Sequence, residues 1–252
     1  MTANHSKYMI DGILMDEERI KAVFKDVPVA WQALSAREKV ALDMVKVIAP
    51  RGRLLDVGCY TGSFMAQVNS LYPEIDVWNV DYYQDNISIA RLLYPNQSDR
   101  FSQMSVYSLE FEDASFDCVT LREVLEHLDR PVDAIREINR VLRSNGYLIL
   151  TTPNANSQAY RLFFTRIKTL IKQIFKRKTT LNHLIFFDNV EWNRHIYAWT
   201  AETLYTLLLQ NGFEYYTHCF YCNSFIQRML PEMGDGLAFL VRKLKTSPNR
   251  II

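Results

Sequence analysis

The chain has 252 residues, a formal net charge of +1 and 48% hydrophobic residues. This composition excludes a disordered chain, because enough apolar side chains are present to form a core, and it disfavours a general polyanion binder. The chain shows no signal-peptide pattern and no apolar run long enough to cross a membrane, and its four cysteines do not suggest a disulfide scaffold, so a cytoplasmic location is expected.

The first part of the chain, residues 1–50, is predicted to form a helical N-terminal extension. The acidic residues that follow Met15 favour the first turn of one helix. Ser35 to Glu38 has the pattern of a capping box before a second helix, which Pro50 ends.

Strand and helix patterns alternate after residue 50. Five short apolar runs predict strands at 53–57, 75–80, 100–106, 116–121 and 147–151. Helical patterns lie at 63–71, 86–93, 123–127 and 131–142. This alternation predicts an α/β fold, in which a doubly wound, mostly parallel sheet carries helices on both faces.

The alternation is interrupted after Pro153. Residues 154–193 are too many for a plain connection, so they predict an insertion at the edge of the sheet where ligands bind. A helix that Thr200 caps follows it, and two strands at 213–220 and 237–241 bring the sheet to seven.

The insertion contains a basic amphipathic segment, residues 158–178. It carries seven basic residues and no acid, whereas the remainder of the chain has 22 basic and 28 acidic residues. Such a helix either contacts an anionic membrane surface, which would place the protein peripherally at the inner face of a membrane, or forms a lid on the domain. Nucleic acid is disfavoured as a partner, because no aromatic residue interleaves the basic face.

A glycine turn connects the first strand of the sheet to the following helix. Gly58 and Gly62 lie in the segment LLDVGCYTG, and glycine lets a backbone approach a ligand closely. The start of the helix offers N–H groups to polar ligand atoms. Asp81 ends the next strand, where a carboxylate can accept both hydroxyls of a ribose. The pattern predicts a cofactor that contains a nucleoside.

The string LLDVGCYTGSF resembles the first motif of class I S-adenosylmethionine-dependent methyltransferases. The stretch SFDCVTLREVLEHLDRPVDAIREINRVLRSNGYLILTTPN is similar to the middle of that family, and RHIYAWTAETLYTLLLQNGF also fits. The resemblance covers roughly Arg51 to Phe220. It implies S-adenosylmethionine as cofactor and a Rossmann-like methyltransferase domain over residues 51–252.

The resemblance also implies a cofactor site, with two departures from the family. Tyr60 stands where the family usually has a glycine, and we expect it to reach that backbone angle. No acid lies near Ser105, so backbone groups and apolar walls such as Tyr82 and Val106 would hold the adenine. The predicted cofactor-binding residues are Asp56, Gly58, Cys59, Tyr60, Gly62, Asp81, Tyr82, Ser105, Val106 and Arg122.

Four side chains predict a metal site. A helix would place Glu123, Glu126 and His127 on one face at the ligand-binding edge, and His195 could reach over the same edge. Two carboxylates and two imidazoles suit Mg²⁺, Mn²⁺, Fe²⁺ or Zn²⁺. The alternative is structural: Glu123 caps, Glu126 pairs with Arg136 or Arg140, and His127 packs.

The E-x-x-E-H pattern is similar to that of two methyltransferase groups. Small-RNA 3′-terminal 2′-O-methyltransferases use it with a later H-x-x-x-W-T histidine to hold a metal, and ubiquinone-pathway O-methyltransferases look similar around E-x-x-E-H. The resemblance implies Glu123, His127 and His195 as catalytic residues. They would activate the acceptor through a metal, or His127 or His195 would act as general base.

The sequence therefore predicts methyl transfer to a hydroxyl of a small-molecule, lipid-linked or saccharide acceptor. The acidic remainder of the chain disfavours an RNA-terminal hydroxyl as acceptor. A catalytically silent, nucleoside-binding scaffold is the other alternative, because Tyr60 could blunt cofactor binding. The sequence leaves the oligomeric state open.

Overall fold

The computed structural model describes residues 7–10, 13–16, 18, 35–48, 51–157, 196–221 and 234–245. The first elements are an antiparallel hairpin, β1 (Lys7–Ile10) and β2 (Ile13–Asp16). The prediction of a helix that begins at Asp16 is therefore wrong at its start, because this residue ends β2.

Helix α1 (Ala36–Ile48) begins at the predicted capping box. The Ser35 N–H donates to Glu38 Oε2 over 3.0 Å, and the Glu38 N–H donates to Ser35 Oγ over 3.4 Å. This helix lies in the predicted N-terminal extension. It packs on the main fold, because Ala41 and Val45 are buried in one cluster with residues of the central sheet.

A seven-stranded sheet forms the centre of the fold. Its strands are β3 (Arg53–Val57), β4 (Asp76–Asp81), β5 (Phe101–Gln103), β6 (Phe116–Arg122), β7 (Leu142–Pro153), β8 (Phe213–Tyr221) and β9 (Gly236–Lys243). Their order across the sheet is β5-β4-β3-β6-β7-β9-β8, and β9 runs antiparallel to both of its neighbours. The predicted doubly wound, mostly parallel sheet is confirmed.

Helices cover both faces of this sheet, as predicted. The further helices are α2 (Ser63–Leu71), α3 (Gln84–Leu93), α4 (Pro131–Val141) and α5 (Ala201–Gln210). Buried side chains of α1 and α2 form one core cluster with the sheet, and those of α4 and α5 form another. Both layers bury apolar surface, which is the main favourable contribution to folding.

The strand order creates a crevice at the carboxyl ends of β3 and β6. β4 and β5 lie on one side of β3, whereas β6 and β7 lie on the other, so the order reverses between β3 and β6. Doubly wound folds bind ligands at this point, outside the carboxyl ends of the strands. The turns after β3, β4 and β6 therefore meet where a ligand is expected.

Most of the predicted insertion lies outside the described residues, including the whole basic segment 158–178. The helix predicted after it is confirmed as α5, with Thr200 as its cap, because the Thr203 N–H donates to Thr200 Oγ1 over 3.2 Å. Among the described residues, no helix has the length and apolar character that a membrane crossing requires.

The position of the sheet core predicts a large effect of Leu148→Ala. Leu148 lies in β7 between Val119 of β6 and Val241 of β9 and is fully buried. Loss of its side chain leaves a cavity, so the free energy of unfolding should fall by about 2–5 kcal/mol in denaturant titrations. Leu209→Ala on the exposed side of α5 is the matched control, with an expected change within about 0.5 kcal/mol. Equal effects of the two substitutions would contradict this position of the core.

Candidate cofactor and acceptor site

The carboxylate of Asp81 connects the end of β4 to the glycine turn that follows β3. Its Oδ2 accepts the Tyr60 N–H over 2.9 Å, and its Oδ1 accepts the Tyr83 N–H over 2.9 Å and Asn86 Nδ2 over 3.0 Å. Burial raises the pKa of Asp81, and these hydrogen bonds act in the opposite direction. A carboxylate has about four acceptor positions, so one remains for a further donor.

The glycine turn is tightly packed and lies in the left-handed backbone region. φ is 76° at Gly58, 53° at Tyr60 and 80° at Gly62. The expectation that Tyr60 reaches the angle of a glycine is confirmed, although a non-glycine residue costs about 1–2 kcal/mol there. A Cβ on Gly58 would lie 2.3 Å from Cγ2 of Val124, so no side chain fits at this position.

A buried ion pair lies below the turn. The Asp56 carboxylate is fully buried; its Oδ1 accepts Thr120 Oγ1 over 2.6 Å, and its Oδ2 lies 3.0 Å from Nη2 of Arg122. The guanidinium of Arg122 is 3.9 Å from the ring centroid of Phe64, at the start of α2. Asp56 thus connects the end of β3 to the neighbouring strand β6, and its side-chain hydrogen bonds among the described residues are with β6 and not with the turn.

The other predicted cofactor residues differ in burial. Cys59 is buried, and burial raises the pKa of its thiol, so the thiol is unreactive. Tyr82 follows Asp81 and is exposed. Ser105 and Val106 lie in the loop after β5, where Ser105 Oγ accepts the Tyr107 N–H over 3.3 Å.

The prediction that Glu123, Glu126 and His127 share one face of a helix is wrong. Glu123 keeps the strand pattern, since its N–H donates to Thr151 O over 2.9 Å, and it then turns the chain with a φ of 53°. A single 3-10 turn follows over Leu125–His127. The chain thus bends sharply at the sheet edge, and no helix places the three side chains on one face.

Both oxygens of Glu123 face partners that are distant in sequence. The hydroxyl of Tyr221, at the end of β8, donates to Oε1 over 2.7 Å. Arg37 Nη1, at the start of α1, lies 3.7 Å from Oε2. Burial raises the pKa of Tyr221, and the Glu123 charge adds to this, so the phenol stays protonated and acts as donor. Sequence patterns gave no signal for either partner.

Glu126 is a buried carboxyl group with one partnered oxygen. Oε2 accepts Thr152 Oγ1 over 3.0 Å, whereas Oε1 has no hydrogen bond among the described residues and lies 3.8 Å from Nε2 of His127. Burial, and then the charge of Glu123, raises the pKa of Glu126 to about 8. Arg136 pairs with Asp133, and Arg140 pairs with Glu137 and Asp113, so neither arginine forms the ion pair that the structural alternative predicted for Glu126.

The four predicted metal ligands are only partly assembled. Within the described ranges, no group of three or more His, Cys, Asp or Glu side chains could hold a metal ion. His195 itself lies outside these ranges. The N–H of the next residue, Ile196, donates to Glu126 O over 2.8 Å, so the chain returns beside this carboxyl group.

The methyltransferase-domain family matches residues 27–218 of this chain, and the chain belongs to that family. The chain is 34% identical over 134 residues to a ubiquinone biosynthesis O-methyltransferase of Xanthomonas campestris. This aligned region covers 51% of this chain and 55% of the relative. A second relative, an uncharacterised methyltransferase of Schizosaccharomyces pombe, is 32% identical over 128 residues, or 47% of this chain and 45% of the relative. The matched regions thus span about half the length of these curated relatives.

Solved structures share the fold. The [4+2]-cyclase SpnF aligns with a TM-score of 0.60 at 20% identity, over 97% of this chain and 88% of that one. A Bacillus halodurans protein described as a putative methyltransferase aligns with a TM-score of 0.57 at 18% identity, over 82% of this chain and 99% of that one. Because a cyclase and a methyltransferase share this architecture, the fold alone does not define the reaction.

The buried Glu126 predicts a pH dependence of stability. The pKa of Glu126 is higher in the folded state than in the unfolded state. Its contribution to the free energy of unfolding is therefore fully present below about pH 4, where folded and unfolded states are both protonated, and is lost as pH rises through about 8. Between pH 5 and pH 8.5 the free energy of unfolding of the wild type should fall by an amount on the order of a few kcal/mol, and Glu126→Gln should remove this fall, as measured by urea unfolding. Glu110→Gln, at an exposed site, is the matched control. An unchanged pH profile in Glu126→Gln would contradict the prediction.

Proposed function

We propose that this chain is an S-adenosylmethionine-dependent methyltransferase that transfers a methyl group to a hydroxyl of a small-molecule acceptor. The observation that carries the proposal is the Asp81 carboxylate, which fixes the glycine turn and keeps acceptor capacity at the carboxyl end of β4. Family membership and the position of the crevice support the same cofactor.

The residues present fit the amino-acid and nucleoside parts of this cofactor. Helix α2 begins after Gly62 without a side-chain cap, so its first N–H groups can serve a polar ligand. Asp81 would accept a ribose hydroxyl, and exposed Tyr82 would offer an apolar surface to the adenine. When bound, S-adenosylmethionine supplies a methyl group on a positively charged sulfur atom. The protein must align the acceptor oxygen with it, exclude water and take up a proton.

His127 is the proposed general base. Its side chain is 41% exposed and borders the buried Glu126, so an acceptor can reach the imidazole. Glu123 is held by Tyr221 and Arg37, which suits an orienting role better than proton uptake. His195 stays proposed as a second imidazole at this edge, because Ile196 is hydrogen-bonded to Glu126 O.

The proposed acceptor is an aromatic or lipid-linked hydroxyl, with a saccharide hydroxyl as the alternative. The relative from Xanthomonas campestris, an O-methyltransferase of ubiquinone biosynthesis, supports the first. The basic segment 158–178 would then contact an anionic membrane surface and bring the protein to the acceptor, whereas a saccharide acceptor suits a lid. A cytoplasmic location remains a prediction.

Metal assistance by Mg²⁺, Mn²⁺, Fe²⁺ or Zn²⁺ requires rearrangement of the acidic residues. Glu123 would have to leave Tyr221 and Arg37, and Glu126 would have to lose its proton. These contacts favour metal-independent transfer, and they also disfavour the RNA-terminal alternative. Activity that is lost with chelator and restored by one divalent ion would reverse this preference.

Asp81→Asn tests the cofactor site. The wild-type protein should bind S-adenosylmethionine in calorimetric titration, and the variant should bind about 10- to 100-fold more weakly, because a charged hydrogen-bond acceptor is lost. Asp85→Asn, on the exposed first turn of α3, should bind as the wild type does. A wild-type protein that binds no S-adenosylmethionine would support the silent scaffold instead. Unfolding midpoints separate weak binding from loss of the turn.

His127→Gln tests the acceptor side. Loss of a general base should lower the rate of methyl transfer to an aromatic hydroxyl about 100- to 10,000-fold, with affinity for S-adenosylmethionine unchanged. Transfer from radiolabelled cofactor to matched hydroxyl and amine acceptors measures both the rate and the atom preference. Full activity of the variant, or a preference for the amine, would contradict the proposed chemistry.

A further inference from the structure

Arg122 places a guanidinium group beside the base of the glycine turn. It is the last residue of β6, and Asp56, its ion-pair partner, lies two residues before Gly58. The guanidinium packs over the ring of Phe64, near the start of α2, so it lies on the face of the sheet that α2 covers. The amino-acid part of a cofactor held by this turn would lie on the same side of the crevice.

The contact with Asp56 uses only part of the guanidinium. A guanidinium has five N–H donors, and among the described residues the one hydrogen bond of Arg122 runs from Nη2 to Asp56 Oδ2. Nε is buried and has no hydrogen-bond partner there. The side chain keeps 13% of its surface exposed. A buried donor without a partner costs about 1–3 kcal/mol, so hydrogen bonding of this group is incomplete without a further acceptor.

The environment of Arg122 suits a second carboxylate. Phe64 holds the guanidinium plane from one side, which restricts the directions of its N–H groups. The charge of Asp56 lies against one Nη atom, and a planar guanidinium can bind a second carboxylate with its remaining N–H groups. Arg122 can thus neutralise Asp56 and still select a ligand by its negative charge.

We propose that Arg122 is the specificity residue for the α-carboxylate of the cofactor. This rests on the proposed function, because it assumes that the crevice binds S-adenosylmethionine. Arg122 would distinguish the amino-acid form of the cofactor from nucleosides that lack the carboxylate, while Asp81 would bind the nucleoside part that all of them share.

Arg37 is the competing guanidinium. It is the second residue of α1, its side chain is 54% exposed, and among the described residues its charged partner is Glu123, with Oε2 at 3.7 Å. Its charge is therefore directed toward the acceptor half of the crevice, and its exposure weakens any ion pair that it forms. If Arg37 rather than Arg122 carried the selectivity, the proposal would be wrong.

The test compares two ligands that differ only in the carboxylate, S-adenosylmethionine and decarboxylated S-adenosylmethionine. Calorimetric titration of the wild type should show about 10- to 100-fold tighter binding of the carboxylate form. Arg122→Gln should remove this preference by weakening S-adenosylmethionine alone, and Arg122→Lys should restore part of it. Arg143→Gln is the matched control, since it breaks a different arginine–aspartate pair at the opposite end of the strands. It should keep the preference.

Each result has a distinct meaning. Equal weakening of both ligands by Arg122→Gln, or loss of the preference in Arg37→Gln alone, would overturn the role of Arg122 and leave the proposed function intact. A wild-type protein that binds neither ligand would instead contradict the proposed function. If Arg122→Gln fails to fold because Asp56 is left as an unpaired buried charge, the double variant Asp56→Asn/Arg122→Gln removes both charges. It should show the same loss of preference.

Discussion

The hydrogen bond from the Tyr60 N–H to Asp81 is the contact on which the cofactor half of the crevice depends. It joins the turn after β3 to the end of β4, and two further donors, the Tyr83 N–H and the Asn86 amide, fix the same carboxylate. A tyrosine in the left-handed region is unfavourable in isolation. A charge-assisted hydrogen bond in a buried site offsets that cost, so the turn keeps the shape that glycine would give it. The start of α2 and the open N–H groups there follow from this shape.

β6 divides the crevice into two halves of different chemistry. On one side, Asp56 and Arg122 form a neutralised pair below the glycine turn. On the other, Glu123 and Glu126 meet Tyr221 and Thr152 from β8 and β7. The long-range contact of β8 with Glu123 thus contributes to the proposed acceptor half, so the last strands of the sheet reach a site built mainly at its centre. The proposed methyl transfer would use both halves, because the donor and the acceptor must approach in line.

The sequence predicted those features that depend on local pattern. Alternating apolar runs gave the seven strands, and the glycine spacing located the turn and Asp81. Local spacing failed at Glu123 to His127, because an i, i+3, i+4 pattern does not reveal that the chain bends at the sheet edge into one 3-10 turn. It also missed the hairpin β1–β2. Arg37 and Tyr221 could not be assigned, since they reach Glu123 only after the whole sheet has formed.

A crystal structure of the protein with S-adenosylhomocysteine tests the central claim most directly. We expect ribose hydroxyl oxygens within hydrogen-bond distance, about 2.5–3.0 Å, of the Asp81 carboxylate, with the Tyr60 N–H still bonded to that carboxylate. A nucleoside bound elsewhere, or a Tyr60 side chain that fills the crevice in its place, would contradict it.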